Sequence, residues 1–170
     1  MSSLISRIKR TIFRGLSNHL FCGTHFFAVK RALLSASGLK IGNNTKIVGP
    51  IYFGNVSDIT IGEDCWIGKN LSIHGDGKVV IGDRCDLAPD VSILTGSHQI
   101  GDQSRRAGEG ISFSVTVGDG CWIGAGVKIT GDTNIGKGSV IGTCALVNKN
   151  IQPNVVVAGI PAKIIRELEI

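Results

Sequence analysis

Between residues 117 and 152 an aliphatic side chain recurs at every sixth position without a break. The series is Val117, Ile123, Ile129, Ile135, Ile141 and Val147. A period of six fits neither the alternation of an ordinary strand nor the ~3.6-residue period of an amphipathic helix. A short fixed period predicts a solenoid, in which each repeat is a short strand with a turn and buries its aliphatic residue against neighbouring coils.

Glycine directly follows four of these six aliphatic residues, at positions 118, 124, 136 and 142. Because glycine adopts backbone conformations that other residues resist, it suits the turn that ends each short strand. Upstream the pattern starts at Ile41 and restarts at Ile61 and Ile81, where steps of eight residues interrupt the steps of six. If each longer step is a bulge at a turn, the sequence from Ile41 to Gly159 predicts an all-β solenoid of about six coils with parallel strands.

The periodic region divides the chain into three parts. Residues 1–40 predict a basic segment with two helices, at about residues 3–20 and 24–36. Residues 41–159 predict the β-helix. Residues 160–170 contain the amphipathic stretch AKIIRELEI and predict a short C-terminal helix that caps the solenoid.

The periodic pattern fails between Ile93 and Val117. The intervening sequence is polar and contains two adjacent arginines, so it predicts a loop extruded from the coil at about residues 98–115. Long loops on rigid scaffolds tend to carry function. We therefore expect the chemistry of this protein at the base of this loop.

The first 40 residues carry the excess positive charge of the chain. They contain seven Lys or Arg and no Asp or Glu, whereas the remainder has eleven basic and thirteen acidic residues. The apolar residues of the first helix fall on one stripe, and they are Leu4, Ile5, Ile8, Ile12 and Leu16. Two roles fit this helix: it caps the solenoid or packs on a neighbouring subunit, or residues 1–20 contact an anionic membrane peripherally.

The sequence also indicates a compartment. No apolar run approaches the ~18 residues of a membrane span, and charges interrupt the stretch that a secretory signal would need. Three of the five cysteines, Cys65, Cys85 and Cys121, stand two residues before an inward aliphatic residue, so we expect buried free thiols. We predict a cytoplasmic protein, at the inner face of the membrane if residues 1–20 bind lipid, and no nucleic-acid partner.

His98 stands where the periodic pattern stops and the loop begins. A neutral imidazole there can take a proton from an alcohol near neutral pH, so His98 is the candidate general base. Asp90 and Glu109 are candidates to orient its ring. His74 follows an inward aliphatic residue and should point out of the coil near Asp76, where it is a candidate for a substrate pocket.

Other chemistries lack their motifs. The chain has no Gly-x-Ser-x-Gly elbow and no Walker or Rossmann glycine motif. The expected burial of three cysteines argues against a reactive thiol. A zinc centre usually takes three protein ligands, and only His74 and His98 lie in the right region, so we predict no metal site.

Several segments together resemble one family. They are the six-residue repeats, the LTGSH segment before an arginine-containing loop, the unit VGDGCWIGAGV and the ending NVVVAGIPAKIIREL. These segments resemble the hexapeptide-repeat acyltransferases, and within them the galactoside and maltose O-acetyltransferases and the polysaccharide-biosynthesis O-acetyltransferases. The resemblance implies a left-handed parallel β-helix and a homotrimer that binds acetyl-CoA between two subunits.

The resemblance also implies roles for individual residues. His98 matches the family's general base, which deprotonates the acceptor hydroxyl for direct attack on the thioester. Asp76, Asn70 and Arg105 match positions at the acceptor sugar. The acetyl-CoA positions correspond to Ala125, Thr143, Asn148, Lys149, Lys163 and Arg166. The three cations among them can hold phosphates, and the small side chains let a pantetheine arm approach the backbone.

One departure from the family concerns the acceptor. The sugar acetyltransferases have an acidic substrate contact in a longer N-terminal region, whereas residues 1–40 here contain no carboxylate side chain. This difference argues against a free galactoside or maltose and favours a sugar hydroxyl of a polysaccharide or of its lipid-linked or nucleotide precursor. We predict an acetyl-CoA-dependent O-acetyltransferase. Two alternatives stay open: N-acetylation of an amino sugar or sugar nucleotide, and a non-catalytic solenoid scaffold.

Overall fold

The computed structural model describes residues 4–54 and 57–169. Two helices, α1 (Leu4–Leu20) and α2 (Phe27–Ala36), precede a series of short strands. The strands, in chain order, are β1 (Lys40–Ile41), β2 (Lys46–Ile47), β3 (Ile51–Phe53), β4 (Asp58–Ile61), β5 (Trp66–Ile67), β6 (Leu71–His74), β7 (Lys78–Ile81), β8 (Asp86–Leu87), β9 (Ser92–Leu94), β10 (Gly96–Ile100), β11 (Ala107–Ser112), β12 (Ser114–Val117), β13 (Trp122–Ile123), β14 (Lys128–Thr130), β15 (Thr133–Ile135), β16 (Val140–Ile141), β17 (Leu146–Val147), β18 (Val155–Ala158) and β19 (Lys163–Glu167).

Parallel pairing between successive coils arranges these strands in three faces. Face 1 has five strands in the order β1-β4-β7-β12-β15, and face 3 has five in the order β3-β6-β9-β14-β17. Face 2 has seven, in the order β2-β5-β8-β13-β16-β18-β19. Successive strands of each coil go to successive faces, so three strands make one coil. The predicted parallel β-solenoid of about six coils is confirmed.

The aliphatic residues of the repeat form columns inside the coil. In face 1, Ile41 pairs with Ile61, Ile61 with Ile81, Ile81 with Val117, and Val117 with Ile135. All of these side chains except that of Ile41 are at most 1% exposed. Burying one such side chain stabilises the fold by roughly 1.5–3 kcal/mol. Because only the inward positions must align, the eight-residue steps are absorbed at the turns.

Three cysteines form one of these inner columns. Cys65, Cys85 and Cys121 are free and at most 2% exposed, as their spacing predicted. The backbone amide of Cys85 lies 3.4 Å from Sγ of Cys65 in the coil below. Burial raises the pKa of the Cys121 thiol, which keeps it protonated and unreactive at neutral pH. Because none of the three side chains is open to solvent, the column serves packing.

Helix α1 covers the first coil with its polar side. Strand β3 is the terminal strand of face 3. Asn18 takes the place of a further strand: its side-chain amide donates to the carbonyl of Ile51 at 2.7 Å, and its side-chain oxygen accepts from the amide of Ile51 at 3.1 Å. One turn earlier Arg14 donates to the carbonyl of Phe53, and Arg10 donates to carbonyls just beyond β3. The helix thus satisfies the edge of the sheet.

The apolar stripe of α1 consequently faces away from the solenoid. Its residues are exposed, at 71% for Leu4, 66% for Ile5, 49% for Ile8, 53% for Ile12 and 37% for Leu16. An amphipathic helix on a globular protein usually buries its apolar side. Here the polar side faces the coil instead, because a strand edge needs hydrogen-bond partners more than it needs apolar cover. Neither α1 nor α2 combines the length and hydropathy of a membrane-spanning helix.

Helix α2 covers the neighbouring strand edge in a similar way. It starts at Phe27, three residues later than the predicted start, and lies beside β2, the terminal strand of face 2. Lys30 is 0% exposed, and its Nζ donates to the carbonyls of Gly23 and Val48. Nζ also lies 4.7 Å from the centre of the Phe27 ring. Burial lowers the pKa of Lys30, while these contacts hold its ammonium group.

The structure corrects the predicted loop at about residues 98–115. The segment does leave the coil between β9 and β12, but it forms an antiparallel hairpin of β10 and β11. Gly96 pairs with Ser112, and His98 pairs with Gly110. The sequence pattern did not reveal these strands because both faces of the hairpin are largely exposed, so neither strand shows an apolar alternation.

The predicted C-terminal helix at residues 160–170 is also corrected. Within that range, Lys163–Glu167 form β19, which pairs antiparallel with β18. The pairs include Val157 with Ile164 and Val155 with Glu167. Strand β18 would otherwise leave a free edge on face 2, and the two adjacent isoleucines of the segment favour the extended conformation. Residues 163–167 therefore close the solenoid as a strand.

Candidate active site

The hairpin leaves the coil where face 3 meets face 1, a place we call the hairpin corner. Thr95, 0% exposed, fixes its root: the hydroxyl donates to the carbonyl of His74 at 3.0 Å and accepts from the amide of Gly77 at 3.2 Å. The amide of Phe113 donates to the carbonyl of Thr95 at 2.8 Å. A Cβ at Gly77 would lie 1.9 Å from the carbonyl oxygen of Phe113, so only glycine fits there. These contacts anchor the hairpin to the rigid coil.

His98 lies on β10, the first strand of the hairpin. Its Nδ1 is 2.9 Å from the carbonyl oxygen of Gly108. A carbonyl only accepts, so in the neutral ring Nδ1 carries the proton and Nε2 keeps a lone pair for a substrate proton. The sequence suggested Asp90 or Glu109 as the orienting partner, but the backbone performs this role, and Asp90 accepts from the side-chain amide of Asn70 at 2.9 Å.

A cleft of about 390 Å³ opens beside His98. Its lining residues are His74, Gly75, Asp76, Leu94, Gly96, Ser97, His98, Gly110, Ile111 and Ser112. The cleft thus brings together three residues that the sequence selected, namely His98, His74 and Asp76. The hydroxyl of Ser112 donates to the carboxylate of Asp76, which ties that side chain to the hairpin. Imidazole, carboxylate and hydroxyl groups around one small cleft suit a ligand rich in hydroxyl groups.

A second cleft, of about 530 Å³, adjoins the first and shares His74 and Gly75 with it. One wall is α1, which contributes Arg14 and His19, and β3 contributes Tyr52, which is 48% exposed. The two clefts form one surface from the hairpin to α1. The sequence did not indicate Tyr52. It did not indicate Arg14 or His19 either, because its pattern does not reveal which side of α1 faces the coil.

Asn70 and Arg105 do not line the cleft beside His98. Asn70 precedes β6, whereas the cleft lies at the other end of that strand. Arg105 lies in the turn at the tip of the hairpin, where its backbone amide donates to the carbonyl of Asp102 at 3.3 Å. A single chain therefore keeps both predicted acceptor contacts apart from His98.

Two of the six positions predicted for acetyl-CoA lie at the corner between faces 2 and 3. Ala125 follows β13 and Thr143 follows β16, in successive coils. The backbone amide of Cys144 donates to the carbonyl of Ala125 at 2.8 Å, which stacks one turn on the other. Ala125 carries only a methyl group and Thr143 is exposed, so this corner leaves the backbone accessible to a narrow ligand.

The other four predicted positions lie on two further surfaces. Lys163 and Arg166 lie on β19, and Asn148 and Lys149 follow β17 at the hairpin corner. All four are exposed, so the three cations among them can meet phosphate groups. None of the six positions lines the cleft beside His98. One chain thus separates the candidate base from most of the candidate acetyl-CoA surface.

The described part of the chain offers no cluster of metal ligands. Residues 4–54 and 57–169 contain no group of three or more His, Cys, Asp or Glu side chains placed to hold a metal ion. The absence of a metal site stays a prediction from the sequence. The side chains of the cleft are suited to acid–base chemistry, with the imidazole of His98 as the group whose free nitrogen can accept a proton.

Two family models match the repeat region of the chain. The model described as bacterial transferase hexapeptide (six repeats) matches residues 114–149. The model described as hexapeptide repeat of succinyl-transferase matches residues 58–93. Both matches fall on coils of the solenoid, one on each side of the hairpin.

The chain is similar along most of its length to known acetyltransferases. Galactoside O-acetyltransferase of Escherichia coli strain K12 is 38% identical over 139 residues, which are 82% of this chain and 68% of that protein. The putative colanic acid biosynthesis acetyltransferase WcaF of the same strain is 30% identical over 135 residues, which are 79% of this chain and 72% of that protein.

A solved structure of galactoside acetyltransferase in complex with coenzyme A matches with a TM-score of 0.82 at 31% identity. The match covers 97% of this chain and 82% of that one, so it includes the helices as well as the coils. The fold that this chain shares with such enzymes is the left-handed parallel β-helix.

Proposed function

Because this chain belongs to the hexapeptide-repeat acetyltransferases, we propose that it transfers the acetyl group of acetyl-CoA to a sugar hydroxyl of a polysaccharide or of its lipid-linked or nucleotide precursor. The observation that carries this proposal is the fixed ring of His98. Its Nδ1–H is held by the Gly108 carbonyl at 2.9 Å, and the ring lines a cleft with His74 and Asp76. A base with a defined free nitrogen beside polar groups suits the activation of a hydroxyl.

The proton transfer follows from this arrangement. Acetyl-CoA supplies the acetyl group as a thioester. Nε2 of neutral His98 accepts the proton of the acceptor hydroxyl, whose oxygen bonds to the acyl carbon while the carbon–sulfur bond breaks. His98 then returns the proton to the departing sulfur, which leaves coenzyme A as the thiol. The Gly108 carbonyl stabilises the ring while it carries the additional charge.

The two joined clefts support a saccharide acceptor longer than one sugar. His74 and Asp76 can bond hydroxyl groups next to the reacting one, and the exposed ring of Tyr52 offers a flat surface in the second cleft. The similarity to WcaF, whose name refers to colanic acid biosynthesis, agrees with a polysaccharide acceptor. Asn70 and Arg105 stay candidates for the acceptor site, since a neighbouring subunit could bring them to it.

A homotrimer is part of the proposal. Ala125, Thr143, Lys163 and Arg166 lie on surfaces away from the cleft of His98. Direct transfer requires the thioester to reach that cleft, so a neighbouring subunit must contribute part of the acetyl-CoA site. Asn148 and Lys149 complete the proposed set. The coenzyme A complex of a similar enzyme supports acetyl-CoA as the donor. We place this reaction in the cytoplasm, where the free thiols of the chain stay reduced.

The test is release of thiol from acetyl-CoA with a panel of acceptors. Polysaccharide fragments and lipid-linked saccharides should accelerate release, and the product should lose its acetyl group in mild alkali, as an ester does. An alkali-stable product formed from amino sugars would show N-acetylation instead. A non-catalytic scaffold would release no thiol, and acetyl-CoA would not stabilise it against heat. A ligand that binds the folded protein at about 100 times its Kd adds ~2.7 kcal/mol to the free energy of unfolding.

A further inference from the structure

The outer face of α1 is the row of apolar side chains that points away from the coil. It consists of Leu4, Ile5, Ile8, Ile12, Leu16 and Leu20. Five of these residues recur at intervals of four, so they form a continuous row that winds slowly around a 17-residue helix about 25 Å long. All six are exposed, by 37% to 71%. A continuous apolar row on a surface marks a contact with a partner or a membrane.

The orientation of this face is fixed by the opposite side of α1. Arg10, Arg14 and Asn18 also follow an interval of four, and all three bind the backbone of the first coil. Arg10 alone donates to three backbone carbonyls, at 2.9 to 3.2 Å. Rotation of the helix to bury the outer face would leave these carbonyls and the edge of β3 without donors. The exposure is therefore built into the fold.

The charges beside the outer face favour an anionic surface as its occupant. Arg7 and Lys9 are exposed, and the first 40 residues contain no acidic side chain. If two copies of the outer face met, the cations of both chains would be brought together. A surface of anionic lipid would instead attract them while its acyl region accepts the apolar row.

The outer face is also continuous with the candidate active site. Thr11 lines both a groove on the outer face, together with Ile8 and Ile12, and the second cleft. That cleft meets the cleft of His98 at His74. An amphiphilic acceptor could thus have its apolar part at the outer face and its saccharide along the clefts.

We propose that the outer face of α1 docks in the plane of a membrane surface that contains anionic lipids. The docked helix lies in the interface and does not cross the bilayer. The inference deepens the proposed function and rests on it in one respect, since a lipid-linked saccharide acceptor would enter the second cleft from this surface.

Co-sedimentation of the full chain with vesicles tests the docking. Wild type should bind vesicles of phosphatidylcholine and phosphatidylglycerol, and should bind pure phosphatidylcholine at least about tenfold more weakly. The double variant Ile8→Ser/Ile12→Ser should lower binding by about tenfold or more. Its matched control is Ile164→Ser/Ile165→Ser, because these residues of β19 are 48% and 63% exposed against 49% and 53% for Ile8 and Ile12. The control should bind as wild type does.

A second variant isolates the electrostatic part. Arg7→Gln/Lys9→Gln keeps the apolar row and should lose most of the preference for anionic vesicles. Absence of wild-type binding, or equal binding by wild type and Ile8→Ser/Ile12→Ser, would overturn the inference. A fall in oligomer mass for Ile8→Ser/Ile12→Ser in light scattering without vesicles would assign the face to another copy of the chain and would also overturn it.

Catalysis is measured separately with a water-soluble acceptor. Thiol release from acetyl-CoA should be the same for wild type and Ile8→Ser/Ile12→Ser, since neither residue lines the clefts that reach His98. Vesicle binding without thiol release from any acceptor would contradict the proposed function and leave the docking intact. Thiol release without vesicle binding would contradict the docking and leave the proposed function intact.

Discussion

Replacement of Asn18 by Leu tests why α1 presents its polar side to the solenoid. Leu has nearly the shape of Asn but neither donates nor accepts hydrogen bonds. The variant therefore removes both bonds between the Asn18 side chain and Ile51, at 2.7 Å and 3.1 Å, without a large change in volume. Leu also has a higher helix propensity than Asn, so any loss of stability cannot come from the helix itself.

The expected loss follows from the two backbone groups of Ile51. Ile51 is 2% exposed, so its amide and carbonyl would be left without partners in a largely dry place. Each lost bond costs about 1 kcal/mol net, and an unsatisfied buried group costs about 1–3 kcal/mol. We expect a decrease of about 2–4 kcal/mol in the free energy of unfolding. The loss of stability cannot exceed the free energy that detaches α1 from the coil, because water would then reach the amide and carbonyl of Ile51.

The measurement is equilibrium unfolding in urea followed by circular dichroism, with equal m-values for the proteins compared. The matched control is Ile12→Ala, which changes an exposed residue of the same helix and should stay within about 0.5 kcal/mol of wild type. A decrease for Asn18→Leu no larger than that of the control would refute the role of α1 as a hydrogen-bonding cap.

Two further predictions concern the acetyl-CoA surface and the thiols. The double variant Lys163→Ala/Arg166→Ala should raise KM for acetyl-CoA by about tenfold and leave kcat nearly unchanged, because it removes phosphate contacts that are already made in the ground state. An unchanged KM would show that β19 is not part of the acetyl-CoA site. A thiol reagent at neutral pH should modify the exposed Cys22 and Cys144 in the native protein, and the three buried cysteines only in denaturant, as mass spectrometry would show.

The solenoid was predictable because its defining interaction repeats. Each inward aliphatic residue contacts the equivalent residue of the next coil, as Ile61 does with Ile81, so one spacing in the sequence describes the whole core. The same logic placed Cys65 and Cys85 in the interior. A core of this kind requires no knowledge of long-range contacts beyond the period itself.

The ends of the solenoid were not predictable in the same way. The segment of Ile164 and Ile165 is amphipathic as a helix, and only the free edge of β18 makes it a strand. The apolar stripe of α1 likewise does not reveal that Arg10 and Asn18 would bind strand carbonyls. Both outcomes depend on where a sheet ends in space, and a local pattern does not contain that information.

The candidate site was predictable in its side chains and not in its backbone. His98 was selected because it stands where the period breaks, His74 because it follows an inward aliphatic residue, and Asp76 because it matches an acceptor position of the family. One cleft joins all three. The partner of the His98 ring is the carbonyl of Gly108, which becomes available only because the segment folds back as a hairpin. Every residue has such a carbonyl, so no residue type could signal it.

The most direct test of the account is turnover by His98→Asn. An amide at this position can still donate to the Gly108 carbonyl, so the hairpin should stay folded, but it cannot accept a proton as a base. For His98→Asn we expect a decrease in kcat of about 10²–10⁴-fold, with thermal stabilisation by acetyl-CoA as in wild type. The control is His25→Asn, which changes an exposed histidine outside both clefts and should keep full activity. Wild-type turnover by His98→Asn would contradict the assignment of His98 as the base.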